Sequence, residues 1–100
     1  MAVVEITSFL VREGSENDFA QALASAAPIL KRQPGCVGHD YGASIERPDR
    51  FWLMAHWKTL EDHTQCFRES ADFETFVSAF RPFLAEPATV SHFHSSVPGP

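Results

Sequence analysis

Residues 51–67, FWLMAHWKTLEDHTQCF, decide the fold of this chain of 100 residues. The first seven read as a β-strand, in which successive side chains point to opposite faces of the sheet. One face receives the odd-numbered residues and the other the even-numbered ones: Phe51, Leu53, Ala55 and Trp57 against Trp52, Met54 and His56. A sheet with one face in water alternates apolar with polar residues. This strand is largely apolar on both faces, so the sequence predicts that both faces of the sheet are covered.

Four strands and two helical regions are predicted, in the order β-α-β-β-α-β. The strands are expected at residues 3–11, 36–46, 51–57 and 88–95. Ser15 has the side chain of an N-cap for the first helix, and Pro34-Gly35 ends that helix. Thr59 is expected to cap a short helix, and Ser70 or Asp72 to cap the next one.

The element order is that of the ferredoxin-like split βαβ unit. The predicted fold class is therefore α+β, with a four-stranded antiparallel sheet and helices on one face, formed as a single domain by residues 1–96. Residues 97–100 are expected to be a disordered tail. The face without helices is apolar in the first and third strands, and a second copy packed sheet against sheet would cover it. This predicts a homodimer with a two-fold axis.

Composition and charge exclude several classes of function. The formal net charge is −5, and eight Lys and Arg residues form no basic cluster, which argues against a nucleic-acid partner. No apolar run reaches the ~20 residues of a membrane span, and the N-terminus does not resemble a signal peptide. We therefore expect a cytoplasmic protein, in which Cys36 and Cys66 are free thiols. Nine phenylalanines and two tryptophans are a heavy aromatic load for one small core, and the excess predicts a lined pocket or an interface.

His63 is the leading candidate for a functional residue. At 100° per residue, Leu60, His63, Thr64 and Phe67 fall within one arc of the short helix, which turns His63 toward the interior. Histidine takes up a proton near neutral pH, so a catalytic base is one interpretation. A structural histidine bonded to a backbone carbonyl is the other. Trp57, Phe67 and Phe80 are expected to line a pocket beside it, although the Phe73, Phe76, Phe80 and Phe83 series is also typical of plain core.

The other histidines allow several interpretations. His39 and Tyr41 share a face of the second strand and are expected either to form a polar end of the cavity or to satisfy the sheet edge. His56 is expected at the pocket or, in preference, in the dimer interface. His92 and His94 point the same way along the last strand and would bind a metal only if a third ligand such as His39 or His56 converged. The spacing does not establish a third ligand and no acidic ligand lies nearby in the sequence, so we predict no metal. The chain has no glycine-rich phosphate loop, so we predict no nucleotide cofactor either.

Several blocks resemble the antibiotic biosynthesis monooxygenase family of dimeric α+β barrels. They are VREG at residues 11–14, FAQALASAAPILKRQPGC at 19–36, ERPDRFWLMAHWKTLEDHTQCFRES at 46–70 and FETFVSAFRPFL at 73–84. The QPGC segment and the W-x-x-L-x-x-H-x-x-x-F pattern that ends at Phe67 are the most specific parts. Together the resemblance covers about nine tenths of the chain.

The resemblance implies a small oxygenase that works on an aromatic or polyketide-like molecule without metal or flavin, with His63 as its base. The family also contains isomerases, so a proton-transfer enzyme using the same histidine is an alternative, and a non-catalytic dimeric binding module is another. The haem-degrading branch uses an Asn, Trp and His triad. Those positions align near Thr7, Phe67 and Phe76 or Val77, which argues against haem breakdown.

Overall fold

The chain forms a four-stranded antiparallel sheet with its helices against one face, in a computed structural model that describes residues 2–97. The elements are β1 (Val3–Leu10), α1 (Glu16–Lys31), β2 (Cys36–Ala43), β3 (Arg50–Trp57), a π-helical turn (Asp62–Phe67), α2 (Ala71–Phe80), a 3-10 turn (Arg81–Phe83) and β4 (Thr89–His94). This confirms the predicted ferredoxin-like order and fold class. Of the expected disordered tail, residues 98–100 lie outside the described part of the chain.

The strand order is β2-β3-β1-β4, so the two strands that are apolar on both faces occupy the centre of the sheet. In the β1–β3 pair, Val3 lies opposite Trp57 and Phe9 opposite Phe51. These residues belong to the inner face, which the helices cover. In the β1–β4 pair, Glu5 lies directly opposite His92, which brings two polar side chains to the same inner face.

The core is a set of interlocking aromatic rings between the inner face and the two helices. Phe19 of α1 lies 4.8 Å from Phe51 and 5.2 Å from Phe9, measured between ring centroids. Phe80 of α2 contacts Phe9 at 5.3 Å in an edge-to-face arrangement, a geometry that aromatic pairs prefer. Phe19, Leu23, Ala26 and Leu30 of α1 are buried in this core. Of the phenylalanine series predicted from spacing, Phe76 and Phe80 are buried, whereas Phe73 and Phe83 are half-buried.

The outer face of the sheet remains apolar and carries no helix. Val4 of β1 is buried among its neighbours, but Trp52, Met54 and Phe93 are 45%, 36% and 53% exposed. His56 lies on this face opposite Val4. No helix within residues 2–97 is long and apolar enough to cross a membrane.

β2 is shorter than predicted and ends at Ala43 instead of residue 46. The chain turns back through residues 44–49, where the backbone N–H of Ser44 donates to the carbonyl of Arg50 at 2.7 Å and Arg50 donates to Arg47 at 3.0 Å. Ile45 is therefore exposed in the hairpin loop. The Pro48-Asp49 sequence signals the turn but does not fix where the strand stops.

Candidate active site

Two local contacts fix the position of the turn that carries His63. The Thr59 hydroxyl accepts a hydrogen bond from the backbone N–H of Asp62 at 3.1 Å, and the Asp62 carboxylate accepts one from the N–H of Thr59 at 3.2 Å. This reciprocal pair satisfies two backbone donors at the start of the turn, as in a capping box. The predicted cap at Thr59 is thereby confirmed.

Gly35 holds this turn against the end of α1. Its φ is +89°, a backbone conformation that side chains disfavour, and a Cβ atom at this position would collide with the Asp62 side chain. The Gly35 carbonyl also accepts a hydrogen bond from the N–H of Lys58 at 2.8 Å. The glycine of the QPGC segment therefore allows the α1–β2 connection to lie directly on the residues that precede His63.

The turn itself is π-helical, not α-helical as the spacing suggested. The N–H of Arg68 donates to the carbonyl of His63, five residues earlier, at 3.2 Å. A π-helical turn holds more residues than an α-helical one, so a spacing of four keeps His63 and Phe67 on the buried side, while Leu60 moves out and is 39% exposed. The inward orientation of His63 is confirmed, but the predicted arc that included Leu60 is wrong. Single π-helical turns occur frequently at functional sites.

His63 belongs to a buried cluster of polar side chains on the inner face. Its Nε2 lies 3.3 Å from Oε1 of Glu5. The same carboxylate accepts a hydrogen bond from Trp57 Nε1–H at 3.0 Å and one from the Thr7 hydroxyl at 2.5 Å. Two hydrogen-bond donors and the His63 ring therefore surround the Glu5 carboxylate, so this buried polar group has partners on each side.

The second ring nitrogen of His63 contacts His92 of β4. His63 Nδ1 and His92 Nε2 are 2.8 Å apart. An ionised carboxylate only accepts hydrogen bonds, so with Glu5 ionised the neutral ring of His63 carries its proton on Nε2. Nδ1 is then an acceptor, and His92 Nε2–H is the donor.

The environment of His63 favours its neutral form. Its pKa is lowered from 6.5 to about 4; burial is the largest cause, and the positive charge of Arg68 and the His92 ring contribute in the same direction. The Glu5 carboxylate acts in the opposite direction. The Trp57 indole packs on the imidazole with ring centroids 5.0 Å apart and planes 19° apart, which excludes water from one face of the ring. His63 is therefore an unprotonated imidazole at neutral pH.

A cavity of about 360 Å³ opens beside this cluster. Its wall is mostly apolar and is interrupted by a few polar groups. The lining residues are Glu5, Thr7, Phe9, Leu30, Leu53, His63, Phe67, Arg68, Phe73, Phe76, Val77, Phe80, Ala88 and Val90. An apolar pocket with a small number of converging polar groups is typical of a small-molecule site, and 360 Å³ lies near the lower end of the usual size range.

A larger depression of about 480 Å³ adjoins the cavity and shares Val77, Phe80 and Ala88 with it. It lies at the end of α2 and along the segment that leads to β4. Its charged lining residues, Arg81 and Glu86, are both exposed. The buried titratable groups Glu5 and His63 line the smaller cavity, which is therefore the candidate site, and the depression adjoins it.

The structure brings together some of the residues predicted for the site and separates others. His63, Phe67 and Phe80 line the cavity, and Trp57 lies behind His63 as a fully buried support without lining it. His39 and Tyr41 are on the inner face of β2, but Tyr41 faces a separate depression near the start of α1. The expectation that they form the polar end of the cavity is therefore corrected. The reason is the strand order, which puts β2 at the sheet edge remote from the β1–β4 side where the cavity lies.

Glu5 and His92 are the two site residues that sequence reasoning missed in these roles. Glu5 gave a usable signal, because it is the single acid on a strand face shared with Val3, Thr7 and Phe9. The sequence pattern indicates His92 only as a metal ligand together with His94. Among residues 2–97 no three His, Cys, Asp or Glu side chains are grouped to hold a metal ion. Instead, His92 contacts Nδ1 of His63, whereas Glu5 contacts Nε2.

The fold and the site define a small α+β protein with a buried histidine–carboxylate pair beside an aromatic cavity. The family model described as "Antibiotic biosynthesis monooxygenase" matches residues 1–79, and the chain belongs to that family. The uncharacterised protein YczJ of Bacillus subtilis is 33% identical over 91 residues, which cover 91% of this chain and 96% of that protein.

Solved structures agree with this assignment. A candidate antibiotic biosynthesis monooxygenase from Bordetella bronchiseptica superposes with a TM-score of 0.90 at 38% identity, covering 96% of this chain and 98% of that one. SnoaB, a cofactor-independent oxygenase from Streptomyces nogalater, superposes with a TM-score of 0.81 at 20% identity, covering 99% and 97% of the two chains. At that identity the likeness to SnoaB concerns the fold alone.

Proposed function

We propose that this protein is a cofactor-independent monooxygenase that oxidises a small, flat phenolic molecule in the cavity beside His63. The observation that carries the proposal is a buried, unprotonated histidine, paired with a carboxylate, in the wall of a 360 Å³ aromatic cavity. Membership of the family favours an oxygenase over other uses of such a base.

His63 acts as the base in this proposal, and Glu5 prepares it. With its carboxylate 3.3 Å from Nε2, Glu5 favours the tautomer that carries the proton on Nε2 and the lone pair on Nδ1, which is the nitrogen left to receive a proton. When His63 becomes an imidazolium, the neighbouring carboxylate stabilises the new positive charge. A carboxylate that orients and stabilises a catalytic histidine in this way is a recurrent arrangement in enzymes.

The lining of the cavity suits an aromatic substrate that ionises on binding. Phenylalanine rings such as Phe67, Phe76 and Phe80 offer flat apolar contacts. Arg68 also lines the cavity, and its positive charge would stabilise a phenolate or enolate. Exclusion of water would protect the electron-rich anion and the oxygen adduct that follows it.

The substrate itself supplies the electrons for the reaction. Removal of a proton from an activated CH₂ group gives a carbanion, which passes an electron to dioxygen and then combines with the reduced oxygen. One oxygen atom remains on carbon as a carbonyl, and the other leaves as water with the two hydrogens of the CH₂ group. Four electrons leave the carbon and four enter dioxygen, so the reaction needs no external reductant.

Oxygen uptake with 1,8-dihydroxyanthrone, a flat tricyclic phenol with an activated CH₂ group, tests the proposal. We expect uptake above the spontaneous rate, and a loss of ~100-fold or more in His63→Gln, because a positioned general base contributes that much. His39→Gln is the matched control, since His39 lies away from the cavity, and it should keep the wild-type rate. Full activity in His63→Gln would remove the histidine from the chemistry, and an isomerised product without oxygen uptake would favour a proton-transfer enzyme.

We further propose that the protein is a homodimer through the outer face of its sheet. The exposed Trp52, Met54 and Phe93 side chains support this, because a monomer gains nothing by presenting three large apolar groups on one face. Sedimentation at micromolar concentration should show a dimer. Trp52→Asp should dissociate it, whereas Leu60→Asp, a comparably exposed position on the helical side, should leave it intact. A monomeric wild type would contradict the proposal.

The free thiols of Cys36 and Cys66 fit the cytoplasmic location that the sequence predicts.

A further inference from the structure

Both ring nitrogens of His63 already have partners inside the protein. Nε2 faces Glu5, and Nδ1, which must receive the substrate proton, is hydrogen-bonded to His92 Nε2 at 2.8 Å. An isolated base would leave that nitrogen open to the cavity. His92 therefore occupies the nitrogen that the proposed reaction needs. It lies outside residues 1–79, which match the family model.

The position of His92 distinguishes it from the other members of the cluster. It stands on β4, an edge strand near the C-terminus of the chain, and its side chain is only half-buried, whereas Glu5 and His63 are buried. His92 thus connects the enclosed ring of His63 to solvent at the β4 edge of the sheet. Its centroid lies 5.0 Å from that of His63, with the rings tilted by 54°.

We propose that His92 is a proton-relay residue that carries the proton received by His63 out to solvent. This inference rests on the proposed role of His63 as the base. Nδ1 of His63 then has two alternating partners, the substrate on the cavity side and His92, which leads to water, while Glu5 holds the opposite ring nitrogen, Nε2.

The proton balance of the relay closes in three steps. In the first step the His92 side chain rotates away from His63. Its ring loses the Nε2 proton to water and takes another on Nδ1, so that it returns with Nδ1–H and a lone pair on Nε2. While Nδ1 of His63 is open, it takes one proton from the substrate. On return, His92 Nε2 accepts that proton and His92 Nδ1–H is released to water, which restores both rings to their starting tautomers with no oxidant or reductant consumed.

Hydrogen–deuterium exchange at the CH₂ group of 1,8-dihydroxyanthrone, in D₂O without oxygen, tests the relay independently of oxygenation. The wild type should accelerate exchange above the protein-free rate. His92→Ala should slow the accelerated exchange by about 10-fold to 100-fold, and added imidazole should restore it, because a free imidazole can fill the space and carry the proton. His94→Ala is the matched control: it removes the neighbouring inward histidine of the same strand and should exchange like the wild type.

A second variant separates proton transfer from positioning. His92→Gln retains an N–H donor for His63 Nδ1 but cannot pass a proton on, so it should be as slow as His92→Ala while unfolding at the wild-type temperature. Wild-type exchange in either variant, or a slow His92→Ala that imidazole does not restore, would overturn the relay, as would a wild type that does not accelerate exchange. If the wild type accelerates exchange and imidazole restores His92→Ala, but the wild type takes up no oxygen, the relay is supported and only the monooxygenase assignment is removed.

Discussion

Mild acid is expected to destabilise this protein through His63. In the folded state the pKa of His63 is lowered from 6.5 to about 4, chiefly by burial, and its side chain is only about 5% exposed. Between these two pH values the unfolded chain binds a proton that the folded chain does not. The contribution of His63 to stability is therefore complete above pH ~6.5 and is lost progressively as the pH falls toward 4.

The size of the effect follows from the same two values. Since one pKa unit is ~1.4 kcal/mol, the full loss is about 3 kcal/mol, and about 2 kcal/mol of it should be gone at pH 5. For a domain of this size that is a large fraction of an expected free energy of unfolding of ~5–15 kcal/mol. Asp72, whose pKa is lowered by hydrogen bonds from Arg32 and Gln33, loses its contribution only below its ordinary value of 3.8 and so lies outside this window.

Urea unfolding followed by circular dichroism at several pH values between 4.5 and 7.5 measures the effect, at one fixed protein concentration because a dimer would make stability depend on it. His63→Gln is the reference variant, since its amide can still donate a hydrogen bond to Glu5 but does not titrate. The free energy of unfolding of the wild type should fall more steeply with acid than that of the variant. Parallel pH profiles for the two proteins would refute the lowered pKa of His63.

Three further pairs of variants test the supports of the site. Trp57→Phe keeps an aromatic ring on His63 but removes the indole N–H that donates to Glu5 at 3.0 Å, so urea unfolding should show a free energy of unfolding lower by ~1.5–3 kcal/mol. Trp52→Phe, on the outer face, should lower it less. Equal losses in the two variants would contradict the hydrogen bond. At Gly35 the φ is +89° and a Cβ atom would collide with Asp62, whereas at Gly14 the φ is +86° and the space is open. Gly35→Ala should therefore lower the melting temperature more than Gly14→Ala, which adds only ~1 kcal/mol of backbone strain. Ser70→Ala removes the hydroxyl that accepts a hydrogen bond from the N–H of Phe73 at 3.2 Å and should lower the free energy of unfolding by about 1 kcal/mol. Ser15→Ala should lower it less, because the Ser15 side chain makes no such bond. The reverse order would argue against Ser70 as the cap of α2.

Local sequence patterns predicted most of the fold because they act over a few residues. The two-residue period of residues 51–57 and the helical stripes around Phe19 and Phe76 each identify one buried face. The order β-α-β-β-α-β then leaves few ways to join the elements. The π-helical turn escaped prediction because a spacing of four residues, as between His63 and Phe67, fits both an α-helix and a π-helix.

The site was only partly predictable because it depends on contacts between distant strands. Glu5 and His92 meet because β1 and β4 pair in a register that places them opposite each other, and no short-range pattern specifies that register. The misplacement of His39 and Tyr41 has the same origin. Their shared face was predicted, but the order of strands decides which inner-face residues reach the cavity.

A crystal structure of the protein with 1,8-dihydroxyanthrone, grown without oxygen, tests most directly whether this cavity and His63 form the reaction site. We expect the rings of the ligand against Phe67 and Phe80, with its acidic CH₂ group or a phenolic oxygen near His63 Nδ1 and the His92 side chain turned away. Density for the ligand only in the neighbouring depression or on the outer sheet face, with the His63–His92 hydrogen bond intact, would contradict the assignment.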